Sequence, residues 1–178
     1  EIPTRTENHS EHVLPDIAKQ IEEKLAEKGI NKEEVAGVGF GVPGPVTAEG
    51  VIKMNANLGW RDKEVAKELS QLTGLTCKGG NDVKTAGLGE MWKGSAAKYT
   101  NAVFLTLGTG VGAAIIVEGK VILGAMGAAG EIGHIKVDME ETRSCGCGGL
   151  GCAEQYASAP GLKRMALELL EKYDMPSL

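Results

Sequence analysis

Thr100-Asn-Ala-Val-Phe-Leu-Thr-Leu107 runs directly into Gly108-Thr-Gly-Val-Gly112, then Ala113-Ala-Ile-Ile-Val117, and across Glu118-Gly119 into Lys120-Val-Ile-Leu123. Apolar and β-branched runs broken in this way predict a strand, a glycine-rich break, a second strand and a hairpin turn into a third. Working outward, Ser10 is a helix N-cap, with Val13, Leu14, Ile17, Ile21 and Leu25 at helical spacing and Gly29 as the stop. Val35 to Phe40 reads as a buried strand entering the rigid loop Gly41-Val-Pro-Gly-Pro45. Val51 to Met54 is a short strand, 55–60 a loop, and Asp62 caps a helix bearing Val65, Leu69 and Leu72 that Gly74 ends. Leu75 to Lys78 is a further strand, Asn81-Asp82 opens a helix reaching Lys93, and Pro160 opens one with Leu162, Met165, Ala166, Leu169 and Leu170. Strands alternating with helices predict an α/β fold with an antiparallel hairpin in the second half.

A chain of 178 residues can bury a real core. Gly 26 is high, but hydrophobic content is 42% and no glycine repeat occurs, which argues against disorder and collagen. A net charge of −5 gives no basic footprint for nucleic acid. No run reaches membrane-spanning length and no apolar signal segment opens the chain, so a reducing, cytoplasmic location is expected. Glu1-Ile-Pro-Thr carries no initiator Met and no structural start signal, as expected of a chain that begins partway through a protein.

His134 precedes Cys145-Gly-Cys147-Gly-Gly-Leu-Gly-Cys152. One imidazole and three thiols can close a tetrahedral shell around Zn²⁺, and the intervening glycines let the backbone curl around it. Disulfides are the alternative, and they fit badly because Cys145 and Cys147 are too close and the cluster is odd in number. Cys77 sits apart in an apolar stretch, as a buried small hydrophobe would.

Other motifs read two ways. The 108–112 turn can offer successive N–H groups to a phosphate, with the Thr109 hydroxyl as a further donor, or it is an ordinary tight hairpin. Lying between two strands, it is neither a dinucleotide fingerprint nor a Walker loop. Asn81-Asp82, between a strand and a helix, can face a cleft, with Asp82 accepting a hydroxyl proton, or can simply cap the helix. Glu131 and His134, three residues apart, and Glu154 can partner the hydroxyls of a polyhydroxylated ligand, or the two glutamates are solvated surface charges.

Gly41-Val-Pro-Gly-Pro-Val46, Asn81-Asp82, Leu107-Gly-Thr-Gly-Val-Gly112, Gly130-Glu-Ile-Gly-His134 and Cys145-Gly-Cys-Gly-Gly-Leu-Gly-Cys-Ala-Glu154 occur in that order. The set resembles the ROK family of bacterial sugar kinases and sugar-responsive repressors, the bacterial glucokinases most closely. The resemblance implies an actin-like ATPase (ribonuclease-H-like) two-lobed α/β sugar kinase fold, here truncated at both ends. It places 1–86 in the N-terminal small lobe and 87–178 in the larger lobe with the zinc motif. It implies ATP-dependent, Mg²⁺-assisted phosphorylation of a hexose, glucose to glucose 6-phosphate, at the entry to cytoplasmic glycolysis, in a homodimeric full-length protein.

Carried over by residue, Asp82 is the general base. Gly44, Asn81, Asp82, Glu131, His134 and Glu154 hold the sugar, and Gly108, Thr109 and Gly110 contact ATP phosphates. His134, Cys145, Cys147 and Cys152 bind a structural Zn²⁺ that shapes the sugar pocket. The chain departs from the family pattern in lacking an opening Asp-x-Gly-Gly-Thr loop and a late glycine-rich adenosine segment, so the 178 residues alone are expected to be inactive. Lys84 replaces a small polar residue, and either lowers the Asp82 pKa or points to solvent. Ala113 and Ala114 replace glycines and crowd the nucleotide side. The alternative implied by the resemblance is the sugar-binding effector domain of a repressor, and a further reading is a zinc-stapled structural module.

Overall fold

Among the described residues, backbone pairing divides the strands into three small sheets. The computed structural model describes residues 1–55, 57–140 and 142–173. After a single turn, α1 (Glu7–Ser10), comes the amphipathic α2 (Val13–Lys28), closed by Gly29 in the left-handed conformation. β1 (Val38–Val42) pairs in parallel with β4 (Cys77–Asn81), and β2 (Ile52–Asn55) pairs antiparallel with β3 (Trp60–Lys63). α3 (Val65–Thr73) precedes β4 and ends at left-handed Gly74, and α4 (Asp82–Lys93) follows it. β5 (Ala102–Leu107), β6 (Val111–Val117) and β7 (Lys120–Val121) form the antiparallel sheet expected from the opening motif. Glu118 and Gly119, both at positive φ, make its second turn. α5 (Glu154–Ala157) and α6 (Ala159–Tyr173) complete the described elements.

The first-half core joins Leu14, Val42, Val46, Ile52, Trp60 and Val65, and beside it Ala18, Leu69 and Cys77, the last buried as expected. α4 contacts β1 and β4 as well as all three strands of the β5–β6–β7 sheet. The expected lobe boundary between 86 and 87 falls inside this helix, and positions 174–178 of the expected second lobe lie outside the described residues. Ala114 is wholly buried on β6 facing Gly87, where a Cβ would approach the Ala114 Cβ to 2.5 Å. Ala114 therefore fills the helix–sheet contact.

Three local expectations are corrected. Ser10 is not the cap of α2: it is buried at φ 58, and the helix starts after His12, held there because the Trp60 indole donates to the His9 carbonyl at 3.0 Å. The strand expected over Val51 to Met54 is β2, but the two ends of the expected 55–60 loop, Asn55 and Trp60, belong to the hairpin strands β2 and β3. Asp62 lies in β3 at φ 47, bonded to Lys53 at 2.7 Å, so it does not cap α3. Ala56, within that expected loop, lies outside the described residues.

Candidate active site and metal centre

The parallel register sets Val42 opposite Asn81, so the loop after β1 and the start of α4 emerge at the same end of the pair. Asn81 both caps the helix and builds the site. Its Oδ1 accepts from the Lys84 backbone N–H at 3.0 Å, while its Nδ2 donates to the Gly44 carbonyl at 3.2 Å and to Asp82 Oδ1 at 3.1 Å. Pro43 is tied in the same way, its carbonyl accepting from the buried Asn55 amide at 2.8 Å. Asp82 Oδ1 also accepts from the Val83 N–H at 2.9 Å. Both donors thus hold one carboxylate oxygen, orienting the exposed group at the positive end of α4.

The opposite wall comes from the second half. Gly108 to Gly110 form the three-residue turn between β5 and β6, closed by Gly108 N–H donating to the Gly110 carbonyl at 3.0 Å. It is a hairpin, and it also rims the cavity. Gly130, at φ +85, presses so close to β6 that a Cβ would sit 2.1 Å from the Ala113 carbonyl oxygen, and that carbonyl's own residue donates its N–H to Gly130 O at 2.8 Å. This seats Glu131 at the start of a 3-10 turn over Ile132–His134, where residues three apart share a face.

All of these line one cavity of about 730 Å³: Gly44, Asn81, Asp82, Gly108, Thr109, Gly110, Glu131, His134 and Glu154. Every sugar-holding, base and phosphate-contacting residue expected from the sequence is therefore on one hollow. Asn57, Thr106 and Ala113 line it too. Asn57 is a polar side chain in a loop, and nothing in its spacing sets it apart. A second cavity of about 840 Å³, between the β1–β4 pair and β7, is walled mainly by glycines and apolar side chains such as Phe40, Val46 and Leu88 and has no converging carboxylates.

The ligand atoms of His134, Cys145, Cys147 and Cys152 all lie within 4.8 Å of one another, and all four cysteines of the chain are free thiols. The Cys147–Cys152 sulfur separation is 3.7 Å, and Cys145 Sγ lies 3.4 Å from His134 Nδ1. Tetrahedral zinc with bonds of about 2.3 Å to sulfur and 2.0 Å to nitrogen has sulfur–sulfur edges of about 3.8 Å and sulfur–nitrogen edges of about 3.5 Å. The donor set fits that ion in chemistry and in span. Burial pushes the Cys145 thiol up to about 12, whereas the Gly149 N–H draws Cys147 below the usual thiol range. Burial also raises Cys152. The sulfur cluster touches the cavity through Glu154, whose Oε1 accepts from Cys145 Sγ at 2.9 Å and lies 3.7 Å from His134 Nδ1.

Lys84 does not point to solvent. It is 3% exposed and its Nζ donates to the Gly127 carbonyl at 2.6 Å.

The ROK family model matches residues 2–178. The chain belongs to the ROK family. It is 40% identical over 169 residues to a glucokinase of Halalkalibacterium halodurans, covering 94% of this chain and 51% of that protein. It is 32% identical over 154 residues to the xylose repressor of Caldicellulosiruptor bescii, covering 83% and 38%. A ROK family glucokinase from Streptomyces griseus, solved in complex with glucose and AMPPNP, superposes with a TM-score of 0.74 at 32% identity, covering 90% of this chain and 51% of that one. This ROK chain has the mixed α/β, actin-like fold of those sugar kinases, and it spans about half the length of the glucokinase relatives it matches. Among its described residues, no helix is long and apolar enough to cross a membrane.

Proposed function

We propose that this chain supplies the sugar side and part of the phosphate side of an ATP-dependent hexose kinase that converts glucose to glucose 6-phosphate. The observation that supports the reading is the convergence of Asp82, Glu131, His134, Glu154 and the Gly108–Gly110 turn on one cavity. Phosphoryl transfer asks mainly for positioning and charge stabilisation. The Asp82 oxygen not engaged by Val83 and Asn81 accepts the proton of the sugar 6-hydroxyl. The hydroxyl oxygen then bonds to the γ-phosphorus of ATP as the bond to the β–γ bridging oxygen breaks and ADP departs. Glu131, His134, Glu154 and Asn81 orient the remaining hydroxyls, the Gly44 loop covers the sugar, and in the 108–110 turn, whose Gly108 N–H is held by the Gly110 carbonyl, the Thr109 and Gly110 N–H groups face the phosphates. Mg²⁺ carried with ATP would neutralise phosphate charge. His134, Cys145, Cys147 and Cys152 would hold zinc, whose part is to fix the loop carrying Glu154 and the His134 ring. With Nδ1 turned to Cys145, His134 keeps Nε2 for a sugar hydroxyl. Thiolate ligation suits a reducing cytoplasm, and a homodimer of the full-length protein belongs to the same proposal.

The test is a coupled assay on the intact protein, with glucose compared against fructose, allose and N-acetylmannosamine. Asp82→Asn should cut turnover by about 10²- to 10⁴-fold while glucose affinity stays within a few-fold. Unchanged turnover would remove Asp82 as the base. The similarity to a xylose repressor favours a second reading, a sugar-sensing effector domain. Intact protein that binds sugar yet phosphorylates none of the panel would decide for it.

A further inference from the structure

Lys84 occupies a place where a charge is costly. Its side chain leaves the first turn of α4, two residues after Asp82, and is buried almost completely. An ammonium taken out of water loses several kcal/mol of solvation unless partners replace it, and an apolar side chain of the same length would fill this space without that cost. Burial accordingly lowers the Lys84 pKa, and the negative charge of Glu131 pushes it back up.

The acceptor carries the argument further. Gly127 lies in the loop that joins β7 to the 3-10 turn of His134, and its carbonyl receives the Lys84 Nζ–H. It stands at φ +72, and a Cβ there would sit 2.3 Å from the Val46 carbonyl oxygen, so this loop is seated against the segment that follows Gly44. Beyond Gly127 the loop is fixed by the Ala113–Gly130 bond, and the next residue, Glu131, enters the cavity. Lys84 thus ties the helix of Asp82 to the loop of Glu131, two groups that share no backbone pairing.

We propose that Lys84 is a positioning residue: its ammonium latches α4 to the Gly124–Gly130 loop and so sets the spacing of Asp82 and Glu131 across the cavity. The catalytic meaning of this latch rests on the hexose kinase reading, but the latch itself does not.

The test compares wild-type intact protein with Lys84→Met, which keeps the stem volume and removes the donor, and Lys84→Arg, which keeps a charged donor. A lysine that merely filled space would leave the loop and sugar affinity unchanged in the methionine variant. The latch predicts instead that Lys84→Met melts at the same or a higher temperature, because an apolar group replaces a buried ion. It also predicts that amides 124–131 exchange hydrogen at least about tenfold faster. The KM for glucose should rise about tenfold, with kcat within about threefold of wild type. Lys84→Arg should restore KM. Loop exchange equal to wild type in Lys84→Met overturns the latch. If the wild type phosphorylates no hexose, the kinase reading fails, and the exchange comparison still decides for or against the latch.

Discussion

The Asn81 side chain bonds the Gly44 carbonyl through Nδ2 while its Oδ1 caps α4, so one amide fixes both a helix start and the loop over the cavity. The two tasks separate by mutation. Serine caps about as well as asparagine but brings no amide donor. Asn81→Ser should therefore unfold in urea near the wild-type midpoint, yet lose about tenfold in kcat/KM for glucose in the intact protein. Asn81→Ala should lose in addition about 1 kcal/mol of stability. Equal urea midpoints for the two variants would show that the cap contributes nothing.

Zinc should be present at one ion per chain in total-metal analysis of protein prepared without chelator. Its affinity should climb with pH. Burial raises the Cys145 pKa from 9.0 to about 12, so in the metal-free chain the neutral thiol is the favoured form. The stability it contributes is fully present below pH 9 and is lost as pH rises towards 12. Zinc binds the thiolate and must expel that proton, as it must from Cys152, while Cys147 yields its own more readily. Competition with a chromophoric chelator between about pH 6 and about pH 8 should show weaker binding at the acid end. An affinity that is flat over this range would contradict thiolate ligation.

Gly87 and Ala114 set the gap between α4 and β6. A methyl at 87 would meet the Ala114 Cβ at 2.5 Å, so Gly87→Ala should cost about 1–3 kcal/mol in denaturant unfolding by overpacking. Moving the methyl, with Ala114→Gly in the same molecule, should recover most of that loss. A double variant as unstable as the sum of its singles would place the strain elsewhere.

The legible parts of this chain were those where local chemistry and tertiary need agree. The run from Thr100 to Val121 has β-branched and apolar residues broken by glycines, and Gly29 and Gly74 stop their helices in left-handed caps as written. The placement of the candidate sugar- and phosphate-facing residues was legible because they fall in short ordered motifs, and one cavity gathers them, with the three cysteines clustered beside it. β3 was not legible. Trp60-Arg-Asp-Lys63 has no apolar alternation and takes its extended form from pairing with β2. β4 includes Lys78-Gly-Gly80, poor strand formers held extended by the parallel register with β1, which is why the expected strand stopped short at Lys78. The burial of Lys84 was invisible for a related reason: a lysine next to a cap reads as solvated, and only the distant Gly127 carbonyl makes an interior place for it.

The β1–β4 register has a consequence for how such proteins diversify. Because both strands finish at the same edge, held by main-chain bonds that ignore side-chain identity, the tip at Ala48 and Glu49, exposed between the buried Val46 and Gly50, can be lengthened or recut without disturbing the platform beneath. Under the hexose kinase reading, such loops could vary in length from one relative to another while Asp82 and the sulfur cluster stand where they are, since neither lies on that tip.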